Sequence, residues 1–306
     1  PSWTARKWML LVASYLFYAA WNPPFVLLLW LSTVIDWKVA RWIDATDDPG
    51  RRRSLLLLSL ASNLGLLGYF KYGTFLLDNF TALLAAAGVD FQAASPDIVL
   101  PVGISFYTFQ TLSYTLDVYQ RRARPAASGL DFALYVTFFP QLVAGPIVRA
   151  TDFVPQCEEP RRASAQDMGW GLFMLTLGMF EKVVLADVLL ARTADAVYGW
   201  AFGPVHTLDA WLGTLAFSSQ IFCDFAGYST CAIGAALCLG YRLPDNFRFP
   251  YAAVGFRDFW RRWHISLSTW LRDYLYISLG GGRVGRARKQ LNVFLTMVVC
   301  GVWHGA

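Results

Sequence analysis

Long apolar runs separated by short charged connectors are the dominant pattern along this 306-residue chain. An apolar run of about 20 residues is what an α-helix needs to cross the ~30 Å hydrocarbon core of a bilayer. The pattern predicts membrane-embedded helices over residues 8–20 with 25–40, 54–77, 98–119, 131–148, 168–191, 207–239 and 290–304. We therefore expect an all-α polytopic membrane protein, with residues 1–306 forming a single membrane domain.

Composition supports the bilayer as the solvent of this chain. Apolar residues make up 56% of it and charged residues only 15%, whereas soluble domains carry about 25% charged residues. These values exclude a cytosolic enzyme, a disordered chain and a secreted disulfide scaffold. The five cysteines lack metal-ligand spacing, and Cys223, Cys231 and Cys238 share one helical face. We expect them to be packing residues, and we expect no metal site.

The charged connectors predict which ends of the helices face the cytoplasm. Residues 41–53 hold four Lys or Arg, 120–129 hold three, 149–163 hold three and 240–289 hold ten. Residues 78–97 hold none and 192–206 hold only Arg192. By the positive-inside rule the basic connectors are cytoplasmic and the other two lie outside.

This sidedness requires that segment 131–148 does not cross the membrane. The segment contains Pro140, Gly145 and Pro146, which bend the chain and free backbone groups. Irregular backbone is tolerated at membrane depth where protein or a wet cavity surrounds it. We expect a re-entrant hairpin entered from the cytoplasm, the alternative being a kinked full span.

Residues 256–276, FRDFWRRWHISLSTWLRDYLY, predict an amphipathic helix at the membrane surface. On a helical wheel the aromatic and leucine side chains form one stripe, and the arginines, including Arg261 and Arg262, lie elsewhere. His264 falls between the two faces, near the predicted cytoplasmic surface. Its alternative interpretation is an interfacial histidine that bonds nearby backbone. The basic cluster at 283–289 is expected to anchor lipid or to receive the phosphates of an acyl donor.

His304 is the strongest catalytic candidate in the sequence. A helix starting at Lys289 places it about 22 Å deep, at ~1.5 Å per residue. Ionisable groups at such depth usually face a cavity or a pathway, and a neutral imidazole can act as a general base. The alternative is a histidine buried for packing. Asp224 is a second in-membrane candidate, expected to pair with an arginine or to orient a histidine.

FWRRWHISLSTWLRDYLYISLGG followed by LTMVVCGVWHGA resembles the membrane-bound O-acyltransferase superfamily, most closely its bacterial alginate O-acetyltransferase branch. PVGISFYTFQTLSYTLDVY, FFPQLVAGPIVR and FCDFAGYSTCAIG are similar to further blocks of the family, in the same order. The resemblance implies a helix bundle with re-entrant and interfacial helices around a central tunnel. It also implies that a first helix and the C-terminal helices of the family lie outside this chain.

The resemblance implies catalytic roles for His304, in Trp303-His304-Gly305, and for His264. Trp303, Arg261, Arg262 and Asp224 are the expected substrate-binding residues. The implied enzyme is an O-acyltransferase of the bacterial inner membrane that acetylates an alginate-like exopolysaccharide. No bound cofactor is expected; acetyl-CoA or another acyl thioester serves as the donor substrate.

The expected partners are membrane lipid, a periplasmic polysaccharide-modifying acetyltransferase and an acyl carrier protein, but no nucleic acid. Thr230, Cys231, Ser278 and Glu181 depart from the usual residues of the alginate branch, which leaves the substrate open. D-alanyl transfer to teichoic acid from a carrier protein is one alternative. A proton-coupled transporter using His304 and Asp224 is an alternative of another class.

Overall fold

The computed structural model describes residues 2–91, 98–199 and 204–305, and every regular element in these ranges is helical. The α-helices are α1 (Trp3–Ala19), α2 (Phe25–Asp44), α3 (Pro49–Ala86), α4 (Ile104–Tyr119), α5 (Gly129–Thr137), α6 (Phe139–Leu142), α7 (Ala150–Glu158), α8 (Ala165–Met179), α9 (Ala191–Tyr198), α10 (Thr207–Cys238), α11 (Phe256–Phe259), α12 (Ile265–Trp270) and α13 (Arg286–Gly305). Two π-helical segments, Phe180–Leu190 and Leu271–Tyr276, and one 3₁₀ turn, Pro250–Ala252, complete the set. The all-α prediction is confirmed for these residues.

Residue contacts divide the chain into two compact units. The first contains Pro1–Phe139, Arg149–Val154 and Thr269–Ala306, and the second contains Pro140–Val148 and Pro155–Ser268. The expectation of one membrane domain over 1–306 stays a prediction.

A buried polar network joins α2, α3 and α4 in the first unit. Asp36 is 0% exposed and accepts hydrogen bonds from the Ser59 hydroxyl at 2.5 Å and from Asn63 Nδ2 at 2.8 Å. The Thr111 hydroxyl donates to Asn63 Oδ1 at 2.9 Å. Interhelical hydrogen bonds of this kind stabilise membrane bundles, where apolar contact alone has no advantage over contact with lipid.

Among the residues that the structure describes, two helices are individually long and apolar enough to cross a membrane, α3 with 38 residues and α10 with 32. They agree with the predicted segments 54–77 and 207–239. The predicted segment 168–191 lies within α8, the π-helical segment and α9, which follow one another without a break from 165 to 198. Segment 98–119 is helical only from Ile104, because Gly103 adopts a left-handed φ of 75°. The other predicted spans stay predictions.

Segment 131–148 forms no continuous helix. Its helical parts are α5, with nine residues, and α6, with four. Nine residues rise only about 14 Å, less than half of a hydrocarbon core. A straight span over these residues is therefore not formed, and the re-entrant path stays a prediction.

Glycines bring α8 and α10 of the second unit into close contact. A methyl group on Gly171 would lie 2.7 Å from the carbonyl oxygen of Gly234. The thiols of Cys231 and Cys238 approach the Leu175 and Met168 carbonyl oxygens of α8, at 3.5 and 3.9 Å. These two cysteines are packing residues, as the sequence predicts.

The prediction of one surface helix over 256–276 is wrong. Helix α11 ends at Phe259, α12 begins at Ile265, and between them His264 adopts a left-handed φ of 43°. The break is fixed by contacts distant in sequence: Arg248 N–H donates to the Arg262 carbonyl, and Ile265 N–H donates to the Asn246 carbonyl, each at 2.9 Å. A helical wheel assumes a continuous helix, so its face assignments do not hold here.

Residues 246–264 lie along α10. Asn246 Nδ2 donates to the Ser229 hydroxyl at 3.1 Å, and the Tyr251 and Ser218 hydroxyls are 2.8 Å apart. Ser218 precedes Cys238, the last residue of α10, by 20 residues, which is about 30 Å along a helix. Part of 240–289 therefore extends along α10, and the cytoplasmic side expected for this stretch stays a prediction.

Candidate active site

His304 lies in the last turn of α13, far from the first residue of that helix. The helix begins at Arg286, three residues earlier than expected. His304 is thus 18 residues from the helix start, or about 27 Å. The side chain is exposed within the described chain, so the alternative of a histidine buried for packing has no support here.

One hydrogen bond fixes the protonation pattern of the His304 ring. Its Nδ1 lies 2.9 Å from the carbonyl oxygen of Cys300, one turn earlier. A carbonyl oxygen only accepts hydrogen bonds, so Nδ1 carries the proton of the neutral imidazole. Nε2 then keeps a lone pair, which a general base requires.

Trp303 connects His304 to the rest of the first unit. Its ring packs edge-to-face against the His304 imidazole, with centroids 4.3 Å apart and an interplanar angle of 85°. Its ring also packs against Phe109, with centroids 5.2 Å apart. Phe109 in turn packs on Trp270 at 4.4 Å. The indole of Trp303 thus lies between the candidate base and an aromatic core.

Lys71, on α3, is a residue that the sequence analysis misses. Its Nζ donates a hydrogen bond to the Trp303 carbonyl oxygen and lies 4.9 Å from the centroid of the Trp303 ring. The available signal was a lysine within an apolar span, which indicates a functional position by default.

His264 lies in the second unit and is 1% exposed. Its ring packs edge-to-face on Phe225 of α10, with centroids 4.7 Å apart. Asn246 supports the adjoining turn, because its Oδ1 accepts from the Ser266 hydroxyl at 2.8 Å. Phe225 precedes Cys238 by 13 residues, about 20 Å along the helix. His264 thus packs against the middle of α10, and its expected position near the cytoplasmic surface stays a prediction.

The two predicted donor-binding arginines differ in their surroundings. Arg262 Nε forms an ion pair with Asp258 at 3.0 Å, one turn earlier. The hydrogen bond from Arg262 holds the pKa of Asp258 below its usual value. Arg261 is exposed. Arg261 is therefore available to a phosphate-bearing ligand, whereas Arg262 already has an acidic partner.

Asp224 pairs with a lysine rather than with an arginine or a histidine. Its Oδ1 lies 2.6 Å from Nζ of Lys182, which also pairs with Asp187 at 2.7 Å. The expectation of an arginine or histidine partner is thus replaced by a lysine shared between two carboxylates. The sequence could not show this pairing, because Lys182 and Asp224 lie on different helices.

A charged cluster around Asp273 is a second feature that the sequence analysis misses. Arg149 pairs with Asp273 at 2.5 Å and lies 5.2 Å from the Tyr274 ring centroid. The Tyr274 hydroxyl donates to Asp117 Oδ2 at 2.7 Å. The cluster joins the end of α4, the residue before α7 and the π-helical segment Leu271–Tyr276, and its residues belong to the first unit.

The structure places the predicted site residues in both units. His304 and Trp303 belong to the first; His264, Arg261, Arg262 and Asp224 belong to the second. Across residues 2–91, 98–199 and 204–305, no group of three or more His, Cys, Asp or Glu side chains is placed to hold a metal ion. The expectation of no metal stays a prediction.

Comparison with known proteins gives one family match and several relatives. The sequence model of the membrane-bound O-acyltransferase family matches residues 116–306. A probable alginate O-acetylase of Pseudomonas putida is 42% identical over 98% of this chain and 61% of its own length. The peptidoglycan O-acetyltransferase of Helicobacter pylori is 38% identical over 98% of this chain and 60% of its own length.

A more distant relative is the teichoic acid D-alanyltransferase of Bacillus subtilis, 27% identical over 67% of this chain and 53% of its own length. The chain therefore spans about three fifths of the length of the two acetyl-transferring relatives and about half of the third.

Proposed function

The chain belongs to the membrane-bound O-acyltransferase family, and we propose that the complete protein transfers an acetyl group from a thioester donor to a hydroxyl acceptor, for the O-acetylation of a cell-surface polysaccharide. The family makes this all-helical chain a membrane protein. The names of the Pseudomonas and Helicobacter relatives support acetyl as the acyl group. We place the protein in the bacterial inner membrane, with several crossings.

The observation that carries the proposal is the hydrogen bond between His304 Nδ1 and the Cys300 carbonyl oxygen. It leaves Nε2 as the proton acceptor. In the proposed reaction Nε2 takes the proton of the acceptor hydroxyl while that oxygen attacks the thioester carbonyl carbon. The tetrahedral intermediate then expels the thiolate, which takes the proton from the imidazolium. An ester and a free thiol result, and the histidine returns to its starting form.

His264 has a supporting role in this proposal. Its burial and its left-handed backbone suit a fixed side chain, since such strain persists only where the surroundings hold it and is frequent at functional sites. We propose that it positions the donor. Trp303 and Asp224 are proposed to line the substrate path, with the donor entering from the cytoplasm past Arg261 and Arg262. We also propose that the helices surround a central tunnel and that residues 131–148 form a re-entrant hairpin.

The donor and the partners follow from the same proposal. Acetyl-CoA and an acyl carrier protein both present a thioester together with phosphate or acidic groups, which an exposed arginine attracts. A periplasmic acetyltransferase would pass the acetyl group on to the polysaccharide. The likeness to a D-alanyltransferase supports a second candidate, alanyl transfer to teichoic acid.

Mass spectrometry of cell-surface polysaccharide tests the proposal. Cells lacking the complete protein are complemented with wild type, His304→Ala or His206→Ala. His206, the remaining histidine of the chain, directly precedes α10 and is exposed, so its variant is the matched control. We expect acetyl groups with wild type and the control, and none with His304→Ala. Alanyl groups in their place favour the second candidate, whereas unchanged polysaccharide in the deletion strain contradicts both.

A further inference from the structure

Lys71 is a charged residue in a membrane-spanning helix that the proposed reaction does not use. It lies in α3, a helix apolar and long enough to cross the membrane. Pro49, the first residue of α3, precedes it by 22 residues, about 33 Å along the helix axis. A lysine inside a bilayer is costly, and such residues usually have a specific partner.

The partner of Lys71 is Trp303. Its Nζ donates a hydrogen bond to the Trp303 carbonyl oxygen, and the same ammonium lies 4.9 Å from the indole centroid, within the ~6 Å range of a cation–π interaction. Within residues 2–91, 98–199 and 204–305, no carboxylate forms an ion pair with Lys71. The Lys71 ammonium therefore lies against the carbonyl oxygen and ring of Trp303 and, at 5.6 Å from its centroid, against the ring of Tyr72.

Tyr72 adds a second contact from α3 to the end of α13. Its hydroxyl donates to the carbonyl oxygen of Val302 at 3.3 Å. Consecutive residues of α3 thus bind consecutive carbonyl oxygens in the last turn of α13. This is the turn that carries His304.

The contacts of Trp303 transmit this restraint to the candidate base. The indole packs against Phe109 on one side and edge-to-face on the His304 imidazole on another. With Nδ1 held by Cys300, the imidazole is fixed by its own helix and by the Trp303 ring. A displacement of about 1 Å at a reacting group can cost about 100-fold in rate, so a residue that fixes Trp303 also affects the chemical step.

We propose that Lys71 is a positioning residue for His304. Through the carbonyl oxygen and the ring of Trp303 it holds the last turn of α13, so that Nε2 faces the reacting hydroxyl. The inference rests on the proposed acyl transfer by His304. Lys71 itself contacts neither substrate nor the reacting atoms.

Kinetics of three variants of the complete protein in its native membrane test this role. Lys71→Met keeps the side-chain length but removes the charge and the donor; Lys71→Arg keeps both. Lys38→Met is the matched control, because Lys38 is an exposed lysine on α2 of the same unit. Acyl transfer is measured with acetyl-CoA as the donor.

We expect Lys71→Met to lower kcat about 10- to 100-fold with the donor KM within about twofold of wild type. Lys71→Arg should restore kcat to within about fivefold, and Lys38→Met should match wild type. An unchanged kcat in Lys71→Met overturns the inference. An equal loss in the Met and Arg variants also overturns it, because charge and hydrogen bonding would then be irrelevant.

A double-mutant cycle with Trp303→Leu identifies the residue through which Lys71 acts. If Lys71 acts through Trp303, adding Lys71→Met to Trp303→Leu lowers kcat less than it does in the wild-type background. If the fold losses in kcat of the two single variants multiply fully in the double variant, Lys71 does not act through Trp303. Should Lys71→Met fail to accumulate, Lys71→Gln keeps a donor without charge and is expected to show an intermediate kcat. A wild-type protein without any acyl transfer would refute the proposed function instead, whatever the variants do.

Discussion

The imidazole of His264 lies edge-to-face against the ring of Phe225, with centroids 4.7 Å apart. The contact places His264 beside the middle of α10 rather than at its C-terminal end. The backbone of His264 is left-handed, at φ 43°, a conformation in which His and Asn are far more frequent than Ala. A substitution at this position therefore tests backbone tolerance and side-chain chemistry together.

His264→Asn separates these two effects from His264→Ala. Asn tolerates the left-handed backbone, so we expect His264→Asn to unfold with the same free energy as wild type. We expect His264→Ala to lower the free energy of unfolding by about 1 kcal/mol. Both variants should retain measurable acyl transfer with altered donor dependence. Thermal unfolding in detergent and donor titrations measure the two properties. Equal stability of both variants would argue against backbone strain at His264.

Two glycines of α8 are expected to respond to alanine with opposite signs. A methyl group on Gly178 would lie 2.8 Å from Cys231 N of α10, but one on Gly169 meets nothing within 4 Å. In an open helix position alanine is more favourable than glycine by about 1 kcal/mol. Gly169→Ala should therefore raise the unfolding temperature, and Gly178→Ala should lower it. Equal shifts in both variants would show that α8 and α10 do not pack so closely.

The acid sensitivity of the first unit is expected to depend on Asp273. Burial works to raise its pKa, but hydrogen bonds from Arg272 and Arg149 outweigh burial and hold the pKa below its usual value. Because the folded pKa is lowered, Asp273 stabilises the protein fully above its unfolded pKa of about 3.9. That stability is lost as the pH falls through the lowered folded pKa.

Asp273→Asn should therefore be less stable than wild type at pH 7, and the difference should shrink below about pH 4. Thermal unfolding of both proteins in detergent between pH 7 and pH 3 gives the comparison. A difference that is constant over this range would exclude the carboxylate as its source.

Arg261 and Arg262 are expected to act on donor binding. Changing both to Gln should raise the donor KM severalfold while kcat changes little, since the two charges attract phosphate but do not touch the acyl carbon. The effect should weaken at high salt. Arg192→Gln, in the connector predicted to lie outside, is the control. Unchanged donor kinetics at low salt would assign the pair to lipid anchoring or, for Arg262, to its ion pair with Asp258.

Local patterns predicted the long helices of this protein well. The apolar run 207–239 corresponds to Thr207–Cys238 almost to the residue, because length and apolarity alone specify such a helix. The break at His264 was not predicted, because it depends on hydrogen bonds from residues distant in sequence. Arg248 bonds to Arg262 and Asn246 bonds to Ile265, on either side of His264.

In the candidate site, too, local features could be predicted and contacts between distant residues could not. His304 and its surrounding motif are evident from the sequence, because a histidine within a predicted span is rare. The role of Lys71 depends on Trp303, which is 232 residues away, and no spacing rule connects them. The lysine partner of Asp224 was missed for the same reason.

Single-turnover acyl transfer by His304→Ala tests the central claim most directly. The variant and the matched His206→Ala control are compared with wild type in native membranes, after equal expression and folding have been shown. Loss of a positioned general base typically costs 10²- to 10⁴-fold in rate. We predict a loss of about that size for His304→Ala and a wild-type rate for His206→Ala. A well-folded His304→Ala protein that transfers the acyl group at near wild-type rate would contradict the assignment of His304 as the base.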